Sequence, residues 1–296
     1  MPQSSNFWSR KKIILLVVAV LTIVLVASCV AGIYFTSQKS EELKTWKGKG
    51  TTKHFKEIFL GRCHDYLMQN PDIGEKDCNE IWQEVTKVVY KQDQCAITEQ
   101  SYERLAELAG ETVPCNKSLL WSRTNRLVHR YTKAIEGFRT LEDTFLGYLF
   151  NGLTWCGKTY SSEMNFQSCP AWDECYNNSM SSFWRVASAA FARSSCGVVH
   201  VMLNASADGD IARKESIFRT IEVPNMHPER VSVVRLWLIS DINGPERASC
   251  NSESVLELKH HIEKHKLEYN CVENYRPVKL LQCIENPDAP VCKVCH

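Results

Sequence analysis

The longest apolar stretch lies near the N-terminus, where residues 13–35 carry no charged side chain. A run of about 20 apolar residues is long enough to cross a bilayer as one helix. A cleaved signal peptide would have a shorter apolar core, and the apolar run continues past Cys29, where a lipoprotein signal would end. We therefore predict an uncleaved transmembrane signal anchor over residues 13–35, preceded by a short tail at residues 1–12.

A lysine-rich polar segment follows and predicts a stalk over residues 36–52. Beyond it, apolar residues recur at helical spacing. The predicted helices are Phe55–Met68, Ile81–Tyr90, Thr98–Ala109, Thr124–Glu136 and Ser181–Arg193. Gly110 and Gly137 directly follow two of these segments, as is common at helix C-termini.

The pattern changes after Cys196 to short runs of β-branched and aliphatic residues. The predicted strands are Val198–Leu203, Ile221–Val223, Ser232–Ile239 and Leu267–Cys271, with a helix at Val255–His265. Pro224 stops the second of these strands because proline cannot donate a ladder hydrogen bond. Strands that alternate with helices favour a small parallel sheet, so we expect a protein of the α+β class with a helical first half.

The charge balance argues against nucleic acid as a partner. The chain has 35 basic and 34 acidic residues, and without Arg10, Lys11 and Lys12 the remainder has 32 and 34. A nucleic-acid-binding domain normally carries a clear excess of basic residues.

Basic residues flank the apolar run on both sides, so they do not fix its orientation. Of the 14 cysteines, all except Cys29 follow the run, which predicts a disulfide framework in an oxidising compartment. Sequons at Asn116, Asn177 and Asn204 lie on the same side. We therefore expect a single-pass type II membrane protein at the cell surface, with an extracellular C-terminal domain that is glycosylated at these asparagines.

Two cofactor-like motifs are rejected. Residues 152–159 match the Walker A expression, but an apolar helix precedes them, Trp155 is bulky, and Cys156 is expected to form a disulfide. Residues 292–296 resemble a haem-attachment sequence but end a cysteine-rich domain. No other metal-ligand spacing occurs, and we predict no metal site.

Residues 140–144 (TLEDT) place Glu142 and Asp143 directly before an uncharged run. One interpretation is helix capping by Thr140 and Asp143, with acids that suit the helix dipole. The other is a carboxylate that faces a cleft and takes part in chemistry. The pattern leaves both open.

Residues 119–123 combine Trp121, Ser122 and Arg123, which could stack a flat ring and hold a phosphate. Glu222 lies among apolar neighbours at the end of a predicted strand, where sites collect in open α/β sheets. A solvated residue on an edge strand is the alternative for Glu222.

Six short motifs occur in order and together resemble the ADP-ribosyl cyclase family. They are residues 121–123, 140–144, 168–172, 183–184, 199–204 and 222–223, and the likeness spans residues 50–292. The resemblance implies a mostly helical lobe (53–114 and 140–195) and an α/β lobe with a small four-stranded parallel sheet (115–139 and 196–296). It also implies six disulfides: Cys63–Cys78, Cys95–Cys175, Cys115–Cys196, Cys156–Cys169, Cys250–Cys271 and Cys283–Cys292. Cys295 would then be unpaired.

The resemblance further implies an enzyme that cleaves the nicotinamide–ribose bond of NAD to give ADP-ribose and cyclic ADP-ribose, hydrolyses cyclic ADP-ribose, and exchanges the base of NADP. NAD is then a substrate, and no cofactor is expected. Glu222 would be the catalytic carboxylate, and Glu142 with Asp143 would favour hydrolysis of the intermediate. The implied substrate-binding residues are Trp121, Ser122, Arg123, Trp184, Ser188 and Phe218.

The rival interpretation is a cell-surface receptor or adhesion domain with the same fold and weak or no catalysis. Homodimerisation and a surface protein ligand are compatible with either interpretation.

Overall fold

The computed structural model describes residues 14, 15, 18, 20–29 and 45–293. The chain divides into two units between Thr45 and Trp46. In the first unit, residues 20–29 are helical. Among the described residues, no helix is both long enough and apolar enough to cross a membrane. The predicted tail (1–12), much of the predicted anchor and stalk, and Cys295 lie outside the described residues.

The second unit contains nine α-helices and six strands over residues 46–293. The strands are β1 (Gly48–Lys49), β2 (Leu119–Ser122), β3 (Ser168–Cys169), β4 (Gly197–Asn204), β5 (Val231–Ile239) and β6 (Tyr269–Glu273). The helices are α1 (Phe55–Gln69), α2 (Cys78–Val89), α3 (Glu103–Leu108), α4 (Asn125–Ala134), α5 (Phe145–Phe150), α6 (Ser179–Ser194), α7 (Val223–Asn225), α8 (Glu253–Lys264) and α9 (Arg276–Glu285). Each predicted helix is confirmed within a few residues, although the third begins with a 3₁₀ turn at Glu99–Tyr102.

The second unit begins inside the predicted stalk. β1 pairs antiparallel with β3, and both Trp46 and Thr51 are buried. A side chain at Gly50 would lie 2.2 Å from the carbonyl oxygen of Phe166, so this close approach requires glycine. Residues 46–52 therefore belong to the second unit, although the prediction assigned them to the stalk.

The main sheet has four parallel strands in the order β2-β4-β5-β6. Its central strands are buried on both faces, as expected for parallel strands. On β5, Leu236 and Leu238 pack into the larger core, while Trp237 between them packs beside α4 and α9. The prediction of a small parallel sheet in a mixed helix-and-strand fold is confirmed.

The segments that form the four strands of the sheet differ from the predicted strands. The strand predicted at Ile221–Val223 is wrong, because Phe218–Glu222 forms a π-helical turn that continues into α7. In this turn the Val223 N–H donates to the Phe218 carbonyl, five residues earlier. Pro224 has no N–H to supply the usual helical bond, which favours the wider turn. The fourth strand is β2, whose short apolar run gave no separate strand signal, and β6 begins later than predicted.

Aromatic rings fill the centre of the helical region. Phe150 lies between Phe183 and Trp155, with ring centroids 4.1 and 4.7 Å away. The indole of Trp155 is fully buried and donates a hydrogen bond to the Tyr102 hydroxyl at 3.1 Å. Trp155 is therefore a core residue. The N–H of Gly157, in the same Walker-like loop, donates to the side chain of Gln94. The N–H groups of Thr154, Cys156 and Lys158 also donate to other protein groups, so these amides are not free to bind a phosphate.

The described residues form six disulfides, and they are the pairs that the resemblance implies. Cys115–Cys196 joins the segment before β2 to the residue before β4, across a sequence separation of 81. Closing such long loops lowers the entropy of the unfolded chain the most. Cys29 is a free cysteine in the first unit.

Candidate active site

Glu222 is a buried carboxyl group at the end of the π-helical turn, with 7% of its surface exposed. Burial raises its pKa to about 8, although a hydrogen bond with Ser188 opposes the shift and the charge of Glu142 adds to it. In these protein surroundings the carboxyl is therefore largely protonated at neutral pH. A π turn and a strongly shifted carboxyl are both features that concentrate at functional sites.

Trp121 and Glu142 are in direct contact. The Trp121 indole Nε1 donates to Glu142 Oε2 at 3.2 Å, which links the end of β2 to residues 140–144. His129, on the first turns of α4, lies edge-to-face against Trp121 with ring centroids 5.9 Å apart. The Glu142 side chain is 12% exposed, so its carboxylate lies at a partly enclosed position.

Asp143 has a different local role from its neighbour. Its carboxylate accepts hydrogen bonds from the Thr140 N–H and from the Thr140 hydroxyl, both at 2.9 Å. This is the capping arrangement that the sequence suggests for residues 140–144. The capping interpretation thus applies to Asp143, whereas Glu142 is turned toward Trp121.

A buried network of hydrogen bonds and an ion pair stabilises the turn that contains Asp143. The Tyr66 hydroxyl donates to Glu111 at 2.9 Å, and it also lies 3.0 Å from the Asp143 carbonyl oxygen. Glu111 accepts from the Phe145 N–H at 2.8 Å and from Arg139 at 3.2 Å. Because the Glu111 side chain is 4% exposed, these donors replace water as the partners of its carboxylate. Burial, followed by the charge of Glu111, raises the pKa of Tyr66.

Helix α6 carries Trp184 and Ser188 one turn apart, which places them on the same face. Ser188 is buried and bonds to Glu222, while Trp184 is partly exposed. Asn178 fixes the start of the helix by accepting a hydrogen bond from the Ser181 N–H at 2.9 Å. The position of Ser188 against Glu222 therefore follows from a well-capped helix.

The other predicted binding residues lie around the carboxyl end of β2. Ser122 ends the strand and is partly exposed. Arg123 has a left-handed backbone (φ 58°), and its guanidinium donates to the Asp208 carbonyl at 2.6 Å. Phe218 is 2% exposed and its ring packs in the core.

Hydrogen bonds and charge interactions connect Glu222, Ser188, Glu142 and Trp121, whereas no hydrogen bond or ion pair joins Trp184 or Arg123 to Glu222 among the described residues. Sequence reasoning missed His129, Glu111, Tyr66 and Arg139. None of them carries a motif, since each acts through a partner that is distant in the chain. No cluster of His, Cys, Asp or Glu with metal-binding geometry occurs among the described residues.

The sequon asparagines differ in their surroundings. Asn116 is exposed and Asn177 partly exposed. Asn204 donates from Nδ2 to both carboxylate oxygens of Asp241, at 3.3 and 3.2 Å. Glycosylation of the three positions stays a prediction.

The fold and site define a disulfide-stabilised α+β protein whose buried glutamate adjoins a second carboxylate and an indole. Residues 52–292 match the sequence profile of a family described as ADP-ribosyl cyclase. The chain belongs to the ADP-ribosyl cyclase family.

Individual relatives agree with this assignment. A rat protein named ADP-ribosyl cyclase/cyclic ADP-ribose hydrolase 1 is 43% identical over 251 residues, which cover 84% of this chain and 82% of that protein. A mouse protein of the same name is 40% identical over 288 residues, covering 97% and 93%. The solved structure of porcine CD38 with a covalent intermediate, ribo-F-ribose-5'-phosphate, superposes with a TM-score of 0.74 at 40% identity, covering 78% of this chain and 100% of that one.

Proposed function

We propose that Glu222 is the residue with which this ADP-ribosyl cyclase/cyclic ADP-ribose hydrolase breaks the nicotinamide–ribose bond of NAD. The reaction gives ADP-ribose and cyclic ADP-ribose, and the enzyme hydrolyses cyclic ADP-ribose. The observation that carries the proposal is the buried Glu222 carboxyl, hydrogen-bonded to Ser188 and close enough to Glu142 to interact with its charge.

The leaving group explains why one carboxylate is sufficient. Ordinary glycosidases use a second carboxyl group to protonate the departing oxygen. The nicotinamide ring of NAD is already cationic and leaves as a neutral base, so it needs no proton. Glu222 then stabilises the oxocarbenium ion or forms a covalent bond to the ribose carbon.

Substrate binding supplies the charge state that this step needs. Burial by the protein alone raises the pKa of Glu222 to about 8. A cationic nicotinamide ring beside the carboxyl favours its ionised form and lowers that pKa. The carboxylate therefore forms where the positive charge of the substrate offsets the cost of burial. Arrival of the substrate activates the residue that attacks it.

Glu142 determines what happens to the intermediate. Water attack gives ADP-ribose, whereas attack by the adenine of the same molecule gives cyclic ADP-ribose. The Glu142 carboxylate, held by Trp121 at 3.2 Å, orients water toward the ribose carbon. Asp143 contributes by capping the turn that carries Glu142.

Aromatic and polar residues around the two carboxylates bind the rest of the substrate. Trp121 and Trp184 stack against the nicotinamide and ribose, and both are partly exposed, as stacking requires. The diphosphate and ribose region is held by Ser122, Arg123, Ser188 and Phe218. The same intermediate allows nicotinic acid to replace nicotinamide on NADP.

We place the catalytic unit outside the cell, on a single-pass type II anchor over residues 13–35. Six disulfides in residues 63–292 support an oxidising compartment. External protease should remove the unit from intact cells, and full protection would contradict this topology.

Product analysis of two variants tests the roles of the carboxylates. Glu222→Gln should lower NAD consumption by about 100-fold or more, because the amide cannot stabilise or trap a cation as a carboxylate does. Glu142→Ala should keep NAD consumption and raise the fraction of cyclic product. The exposed residue Glu257 on α8 provides the control, Glu257→Gln. Near-normal turnover of Glu222→Gln, or an unchanged product ratio in Glu142→Ala, would overturn the corresponding role.

A further inference from the structure

His129 has a buried ring nitrogen close to Glu142, the residue proposed to determine whether the intermediate is hydrolysed or cyclised. Its Nε2 atom is shielded from solvent and has no hydrogen-bond partner among the described residues. The same atom lies 3.9 Å from Glu142 Oε2, the oxygen that accepts from Trp121. Buried polar atoms are normally satisfied, so an exception beside a site carboxylate calls for an explanation.

The distance between His129 and Glu142 is slightly too long for a hydrogen bond, and a small movement during the reaction would close it. A relative shift of about 1 Å would bring His129 Nε2 and Glu142 Oε2 within hydrogen-bonding distance. Catalytic hydrogen bonds are often long before substrate binds. The edge-to-face packing of His129 against Trp121 restricts the orientation of the imidazole ring.

The two fates of the intermediate differ in their proton balance. When water attacks the ribose carbon, an oxygen–carbon bond forms and the water must lose one proton. If the intermediate is covalent, the ribose–oxygen bond to Glu222 breaks and its electron pair returns to the carboxylate. When the adenine nitrogen attacks instead, the new bond forms without loss of a proton. A base beside the intermediate therefore favours water over adenine.

We infer that His129 is a positioning residue for hydrolysis, which orients Glu142 and takes up, through that carboxylate, the proton of the attacking water. The proton passes from water to Glu142 Oε2, is shared with His129 Nε2, and leaves to solvent after product release. This inference rests on the proposed role of Glu142. It adds His129 as a second residue that determines the ratio of ADP-ribose to cyclic ADP-ribose.

Two substitutions separate proton uptake from packing. His129→Gln places an amide where Nε2 lies and can hydrogen-bond Glu142, but it cannot accept the proton. His129→Phe keeps a ring against Trp121 and removes the polar atom. In the full-length protein, both should raise the ratio of cyclic to linear product by about 10-fold or more. NAD consumption should stay within about threefold, and the exposed His260→Gln provides the matched control.

The change in product ratio between H2O and D2O tests for proton transfer, because a purely structural role of His129 would not affect this solvent isotope effect. In D2O the wild-type protein should give more cyclic product, because water attack slows with proton transfer, and this effect should shrink in His129→Gln. If His129→Gln gave the wild-type ratio of cyclic to linear product, proton uptake by His129 would be refuted. An undiminished effect of D2O on this ratio in His129→Gln would refute it as well. General loss of NAD consumption in both variants would show a structural role and overturn the inference.

A double-mutant comparison keeps this inference distinct from the proposed function. If His129 acts through Glu142, its substitution should change nothing further in the Glu142→Ala background. An unchanged ratio in Glu142→Ala alone refutes the role proposed for Glu142. A changed ratio there with a wild-type ratio in both His129 variants refutes only the role of His129.

Discussion

Substitution of Glu222 by glutamine should make the protein more stable at neutral pH while it strongly lowers activity. The unfolded carboxyl releases its proton near 4.5, whereas the folded one holds it up to about 8. Between these values the native state binds the extra proton, so the free energy of unfolding falls as pH rises. The slope is about 1.4 kcal/mol per pH unit, and the loss between pH 5 and pH 7 is about 2.5 kcal/mol. Glutamine has the same shape and no charge, so this loss disappears.

Equilibrium urea unfolding of both proteins, with disulfides intact and no substrate, measures the effect. The difference in unfolding free energy between Glu222→Gln and wild type should grow in favour of the variant from pH 5 to pH 7 and level off above pH 8. Glu257→Gln, on the exposed surface of α8, should show no such trend. A difference that is constant with pH would refute the argument, because it would mean that Glu222 titrates normally in the folded protein.

Two further predictions concern groups outside the reacting centre. Burial, then the positive charges of Arg235 and Lys117, lower the pKa of His200 to about 4. As the pH falls from 6.5 to about 4, only the unfolded state gains a proton on His200, so the free energy of unfolding decreases over this range. His200→Gln should recover about 1–2 kcal/mol of this stability at pH 4.5, measured by urea unfolding. If the free energy of unfolding of the variant fell with acid pH as steeply as that of the wild type, the prediction would be contradicted. Glu111→Gln should cost about 2–4 kcal/mol, since it leaves Arg139 and the Phe145 N–H poorly paired, and should change the product ratio. Full stability with a wild-type ratio would exclude the network as a support of the turn.

The identity of the protein and most of its helices could be predicted from the sequence. Amphipathic spacing in segments such as Phe55–Gln69 and Ser179–Ser194 is a local property, so it reports the element directly. The disulfide pairs followed from the resemblance, because spacing alone permits many pairings. The TLEDT pentapeptide, residues 140–144, predicted its own cap, since both partners lie within four residues.

Other features depend on residues that are far apart in the chain. The segment Ile221–Val223 has the composition of a strand, yet it forms a π turn, because Pro224 removes a helical donor and packing against α6 places Glu222 beside Ser188. β2 is a strand because β4 offers it a parallel partner. Only that pairing brings Trp121 to Glu142 and leaves His129 facing the same oxygen.

The sequence by itself determined which residue types the site contains, since the motifs that carry them are local and contiguous. The tertiary structure decided their chemical states. Burial of Glu222 and the network behind Asp143 exist only when segments from distant parts of the chain pack together and exclude water. A pKa depends on those surroundings, which no local pattern records.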